Sequence, residues 1–166
     1  AWDLLRSARG ALRGFVDADG ATPFSEMEGL RAAIQDGAAV AVGSRVLDPR
    51  RVQVSWRRHV TGWTFRALVR VLLRCPVADT QCGFKLFRAD VAARITSHQT
   101  LKGFAFDVEL CTIAARLGFP VAEVPVSWAE QPESKVRVLR DSAAMLRDVL
   151  LVWWRHRPSV YHGCDR

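Results

Sequence analysis

The chain has 166 residues, enough for one domain with a real core, and its content of 49% apolar and 25% charged residues excludes a disordered chain. Lysine and arginine number 24 against 17 acidic residues, a net charge of +7 that suits nucleic acid, phosphorylated substrates or an anionic membrane surface and chooses none of them. No run reaches the roughly 18–20 apolar residues of a membrane span, and no signal peptide is visible. Cys75, Cys82, Cys111 and Cys164 have no C-x-x-C pair and no zinc-like spacing with His59, His98, His156 or His162, so they read as buried thiols in a reducing compartment.

In chain order, residues 2–10 carry a weak helical pattern ended by Gly10, and 12–16 read as a strand running into Asp17-Ala18-Asp19-Gly20. Thr22 and Pro23 open a helix with Met27, Leu30 and Ile34 at helical spacing, which Gly37 ends. Residues 38–42 form a buried-type strand closing in Gly43-Ser44-Arg45, and a basic loop with Arg50, Arg51, Arg57 and Arg58 follows. A helix is predicted over 60–73 and broken by Pro76, and 77–87 read as a polar loop passing into an apolar tip. Helices are expected over 88–97 and 106–117. Residues 121–126 are a strand in which Pro125 argues for an edge position. Alternating strands and helices predict an α/β fold with a mixed sheet.

The last helix, over 136–157, aligns Leu139, Ala143, Leu146, Leu150 and Trp153 in one stripe, with Arg137, Arg140 and Arg147 beside it. Two readings stay open here: an interfacial membrane helix, or a helix packed on the domain with a basic side outward. Residues 158–166 are a tail.

Four groups can carry chemistry. Asp17 and Asp19 are hard oxygen ligands at a strand end, suited to Mg²⁺ or Mn²⁺ holding substrate phosphates, or else an ordinary Asp-rich turn. The arginines from Arg45 onward can neutralise charge on a leaving diphosphate. Asp79-Thr80-Gln81-Cys82-Gly83-Phe84-Lys85 offers a carboxylate and a phosphate-seeking ammonium in one loop. Asp107 and Glu109 open a helix, where the dipole favours acids in any case, and at i, i+2 they do not share a face. Asp107 is the preferred site residue, with Glu109 second. No G-x-S-x-G, Walker or G-x-G-x-x-G pattern supports other chemistries.

In this order, Asp17-Ala18-Asp19, Gly43-Ser44-Arg45, Asp79 to Phe87, Phe106 to Leu110, and Glu123 to Trp128 with Glu133-Ser134-Lys135 resemble the polyprenyl-phosphate glycosyltransferases of glycosyltransferase family 2. The nearest branch is the dolichyl-phosphate β-glucosyltransferase type, with dolichol-phosphate mannose synthase close by. The resemblance implies a GT-A fold of Rossmann-like, mixed-sheet type over residues 1–135. It also implies inverting transfer of a hexose from a nucleotide diphosphate sugar, UDP-glucose first and GDP-mannose second, to a polyprenyl or dolichyl monophosphate. By that resemblance Asp17 and Asp19 are the metal-binding D-x-D pair, with Mg²⁺ or Mn²⁺ as cofactor. Arg45, Arg57, Arg58, Gln81, Lys85, Ser134 and Lys135 bind substrate or its phosphates, and Asp79, Asp107 and Glu109 are the catalytic candidates. The setting expected is cytoplasmic, peripheral at the membrane through the C-terminal helix.

Two departures stand out. Glu133 takes the place of a family glycine, and the family's opening strands and base-reading Asp-Asp-x-Ser segment are absent from these residues. The chain is therefore expected to be a partial catalytic domain with an exposed sheet edge, inactive or weakly stable alone. Two other readings compete. A haloacid dehalogenase-like phosphatase also uses Asp-x-Asp, but needs a later acidic pair that is not found. A basic module for anionic lipid or nucleic acid fits the charge, but no DNA- or RNA-binding pattern appears.

Overall fold

The structure, a computed structural model of the chain, describes residues 2–53, 56–103, 105–129 and 138–161, and excludes the side chains of 2–4, 53, 56–61, 138–143 and 158–159. In chain order the elements are α1 (Trp2–Ser7), β1 (Leu12–Val16), a 3-10 turn (Phe24–Glu26) leading into α2 (Met27–Gln35), β2 (Val40–Ser44), β3 (Val52–Gln53) and α3 (Trp56–Leu73). They continue with β4 (Phe84–Arg88), α4 (Ala89–His98), α5 (Phe106–Arg116), β5 (Val121–Pro125), β6 (Trp128–Ala129), α6 (Val138–Arg155) and α7 (Pro158–Tyr161).

The main sheet runs β1-β4-β2-β5. Because β4 is antiparallel to both β1 and β2, while β5 is parallel to β2, the sheet is mixed as expected. The same pairing makes β1, β2 and β5 run one way and β4 the other. The carboxyl ends of three strands and the start of the fourth therefore meet at one end of the sheet, where ligands bind in open α/β folds. A second, two-stranded piece pairs β3 with β6 at that end.

Side chains alternate across the sheet and build a core on each face. Val40, Val42 and Phe87 point to the larger core with Val91, Ile95, Val108, Leu110, Ile113, Val149 and Val152 from α4, α5 and α6. Ala41, Phe84 and Leu86 point to the smaller one, closed by Leu30 of α2. Pro125 lies on the edge strand β5, where the lack of an N–H costs nothing. Cys75, Cys82 and Cys111 are buried free thiols.

Three expectations need correction. Residues 84–88 are a central strand, not a loop tip: with both faces covered, Phe84 to Phe87 are all buried and show no alternation to read. The helix after Thr22 begins only at Met27, after a 3-10 turn. Residues 158–161 form a short helix rather than a tail.

α6 packs with Asp148, Val149 and Val152 inward, the two valines joining the main core, and His156 just beyond it is also buried. The described part of the predicted apolar stripe faces the other way: Leu146, Leu150 and Trp153 are exposed, with Trp154 beside them.

Candidate active site

Asp17 directly follows β1, and its amide extends the ladder by donating to the Gly83 carbonyl at 2.8 Å. The chain then turns at Ala18 and Asp19, so the extended backbone of β1 does not reach Asp19. Asp19 Oδ1 accepts from the Ala21 amide at 3.0 Å, the local bond that makes Asp a turn former. Gly20 adopts a left-handed φ of 69° that lets the turn close. Partial burial, and then the charge of Asp19, raise the Asp17 carboxyl above its ordinary value, against the opposing charges of Lys85 and Arg45. A carboxylate whose charge is disfavoured by burial and by a neighbouring carboxylate belongs to a donor set that a hard divalent cation relieves. Among the described residues no cluster of three or more His, Cys, Asp or Glu could hold a metal. A cation at Asp17 and Asp19 would take its remaining oxygens from phosphate and water, as Mg²⁺ commonly does. On that donor chemistry the pair fits the metal.

Arg45 follows β2 and meets Asp79 as a fork: Nε to Oδ2 and a terminal nitrogen to Oδ1, both at 2.8 Å, with the Arg45 amide adding a third bond at 2.9 Å. Burial pushes the Asp79 carboxyl up, but these bonds and the Arg45 charge outweigh it and hold it below the usual range. The guanidinium also lies 5.5 Å from the Trp128 ring centre. Glu123 of β5, which the sequence reading passed over, accepts from the amides of Ala78 and Asp79 at 2.9 and 3.0 Å and so fixes the loop that carries Asp79. Arg66 of α3 was also missed. Burial lowers its pKa, and it feels the charges of both Asp79 and Arg45. Gln81 is half-buried between Asp79 and Gly83. Burial raises the Cys82 thiol to about 12, leaving it unfit as a nucleophile near neutral pH.

Lys85 departs from expectation. It sits within β4, fully buried, and donates to the Asp107 carboxylate and to the Cys82 carbonyl, so its ammonium is engaged inside the protein. Glu109 departs too. Asp107 turns toward Lys85, while Glu109 accepts from the Thr100 and Leu101 amides, the Thr100 hydroxyl and His156 Nε2. The structure brings Asp17, Arg45, Asp79, Lys85 and Asp107 into one electrostatic group and leaves Glu109 to anchor α6. Arg51 is likewise structural: it bonds Glu26, Ser127 and the Pro125 carbonyl. The side chains of Arg57 and Arg58, and Ser134 and Lys135 altogether, lie outside the described residues.

No protein-family model matches the chain. Among solved structures, glucosyl-3-phosphoglycerate synthase of Mycobacterium tuberculosis, determined with Mn²⁺, UDP-glucose and phosphoglyceric acid, superposes with a TM-score of 0.57 at 16% identity, over 93% of this chain and 52% of that one. The fold is thus an α/β fold of the GT-A glycosyltransferase type. Dolichyl-phosphate beta-glucosyltransferase of mouse is 38% identical over 163 residues, covering 93% of this chain and 50% of that protein. The Drosophila melanogaster enzyme of the same name is 35% identical over 160 residues, covering 92% and 49%. Glycosyltransferase AglD of Haloferax volcanii is 33% identical over 152 residues, covering 91% and 24%. The chain belongs to the polyprenyl-phosphate glycosyltransferases of family 2. It spans about half the length of the dolichyl-phosphate beta-glucosyltransferases it matches.

Proposed function

We propose that the protein transfers glucose, with inversion, from a nucleotide diphosphate sugar to dolichyl or a similar polyprenyl monophosphate, with UDP-glucose as the donor. The observation that carries this reading is the convergence of Asp17, Arg45 and Asp79 at one sheet end in a chain 38% identical to a dolichyl-phosphate beta-glucosyltransferase. Asp17 and Asp19 would hold Mg²⁺ or Mn²⁺, which when bound neutralises the donor diphosphate.

The acceptor phosphate is already anionic, so its oxygen attacks the anomeric carbon as the bond to the diphosphate breaks, with no strong base required. Positioning and charge neutralisation then carry the rate. Arg45 keeps Asp79 ionised and oriented at the acceptor side, the Arg66 charge acts on it, and Gln81 follows it two residues on in the same loop. Arg57, Arg58, Ser134 and Lys135 are proposed as phosphate contacts on their family match. Residues 1–135 are proposed as the catalytic portion.

The C-terminal helix is proposed to rest on the cytoplasmic face of a membrane. Its support is the outward-facing Leu146, Leu150, Trp153 and Trp154 next to Arg147 and Arg157, an apolar strip rimmed by cations. No described helix is long and apolar enough to cross a membrane. The phosphatase and nucleic-acid readings find no support among the relatives.

The test is transfer of radiolabelled glucose from UDP-glucose to dolichyl phosphate in detergent with Mg²⁺. Labelled lipid that depends on Asp17 and Asp19 is the expected product. Labelling that survives Asp17→Asn plus Asp19→Asn would overturn the cation assignment.

A further inference from the structure

Lys85 takes a full charge into the interior. Burial alone would lower its pKa, but Asp107 outweighs burial and keeps it protonated. A buried ion pair is weak evidence for stability, because packed apolar residues of similar volume serve as well or better. The pair asks for another account, and its contacts supply one.

Besides Asp107, the Lys85 ammonium binds the Cys82 carbonyl at 2.7 Å, which fixes the peptide joining Cys82 to Gly83. Gly83 is the surface on which Asp17 rests. Its carbonyl accepts the Asp17 amide, and any Cβ placed on it would collide with the Asp17 carboxylate. Phe15, two residues before Asp17, pairs with Lys85 across the ladder, its ring centre 5.3 Å from the ammonium. Asp107 brings the first turn of α5 to the same point. One lysine thus ties together β1, the turn before β4, and α5, directly behind the Asp17 carboxylate.

Resting on the cation reading given above, we propose that Lys85 and Asp107 are positioning residues. They lock the Cys82-Gly83 peptide against β1 and thereby hold the Asp17 carboxylate where it can share one divalent cation with Asp19. Groups that orient a metal ligand typically change affinity 10–100-fold when removed. Gly83 belongs to the same device, since only a residue without a side chain leaves room for the carboxylate.

The experiment measures Mn²⁺ affinity by titration calorimetry, and thermal unfolding, on the 166-residue chain and its variants. Lys85→Met with Asp107→Leu replaces the whole pair by apolar residues. It is expected to melt cooperatively near the parent temperature and to bind Mn²⁺ about 10–100-fold more weakly. The charge-conserving Asp107→Glu keeps a carboxylate for Lys85 but displaces it by one methylene; it is expected to weaken Mn²⁺ several-fold, and it decides the matter if the double variant does not fold. A purely structural pair predicts the reverse: a shifted melting temperature with Mn²⁺ affinity unchanged. Asp17-dependent binding that a folded variant retains within about twofold overturns the positioning role alone. Parent Mn²⁺ binding that is insensitive to Asp17→Asn, or no binding at all, overturns the cation reading and this proposal with it.

Discussion

The motif end of the sheet and the outer face of α6 solve opposite problems. At the sheet end, buried polar groups meet opposite partners: Arg45 is answered by Asp79, Lys85 by Asp107, and the Ala78 and Asp79 amides by Glu123. On α6, Leu146, Leu150, Trp153 and Trp154 stay in solvent beside arginines, while Val149 and Val152 face the core. A domain with unspent apolar surface places it inward if packing is the only demand. The contrast shows that the outward stripe is not what holds α6 in place; Val149, Val152 and the His156–Glu109 contact do that.

The largest effect that would sharpen the contrast is at the sheet end. Asp107→Ala leaves Lys85 fully buried and without its carboxylate, and should cost about 3–5 kcal/mol of stability in chemical denaturation. Asp79→Asn, which weakens the fork with Arg45, should cost about 2 kcal/mol.

Folded-state values below the ordinary 3.8 for Asp79 and 4.5 for Glu109 mean that both contribute stability fully above those values. That contribution is lost as pH falls through the lowered values, so acid unfolding should set in below about pH 4. Asp79→Asn should flatten that part of the curve, followed by circular dichroism. An unchanged curve would detach Asp79 from the acid transition.

On α6, Val152→Ala on the packed side should cost about 2 kcal/mol, from two lost methyl groups plus a cavity. Leu150→Ala, half-exposed on the other side, should cost under about 0.5 kcal/mol. Equal costs for the two would break the comparison, since both faces would then be packed. The smallest effect is electrostatic: Arg147→Glu should lower partition onto anionic vesicles by several-fold, each basic residue being worth about 1 kcal/mol there. Partition indifferent to that change would remove the lipid surface as the partner.

The motif end was legible because its residues are local. Asp17 and Asp19 lie within one turn, Gly43-Ser44-Arg45 closes one strand, and each motif reports a short piece of backbone. What the motifs hid is which of their side chains face inward. Lys85 reads as a phosphate ligand until β4 is known to be central, because a charged residue masks the apolar signature of a buried strand. Glu123 could have been suspected as an acid in an otherwise apolar edge strand, but the amides it accepts are 44 and 45 residues away. For α6 the periodicity was legible but its direction stayed open, since two apolar faces are present and only the fold decides which one packs. His156, which the sequence marks only by its lack of zinc-like spacing to the cysteines, meets Tyr161 and pins the helix through Glu109, the latter a long-range contact without local signal.

The most direct test of the account is equilibrium binding of UDP-glucose to the protein with and without Mn²⁺. The account predicts that Mn²⁺ tightens binding at least tenfold and that Asp17→Asn plus Asp19→Asn abolishes the gain. Equal affinity with and without the cation, or a gain that survives both substitutions, would contradict the assignment of this sheet end as a sugar-nucleotide site.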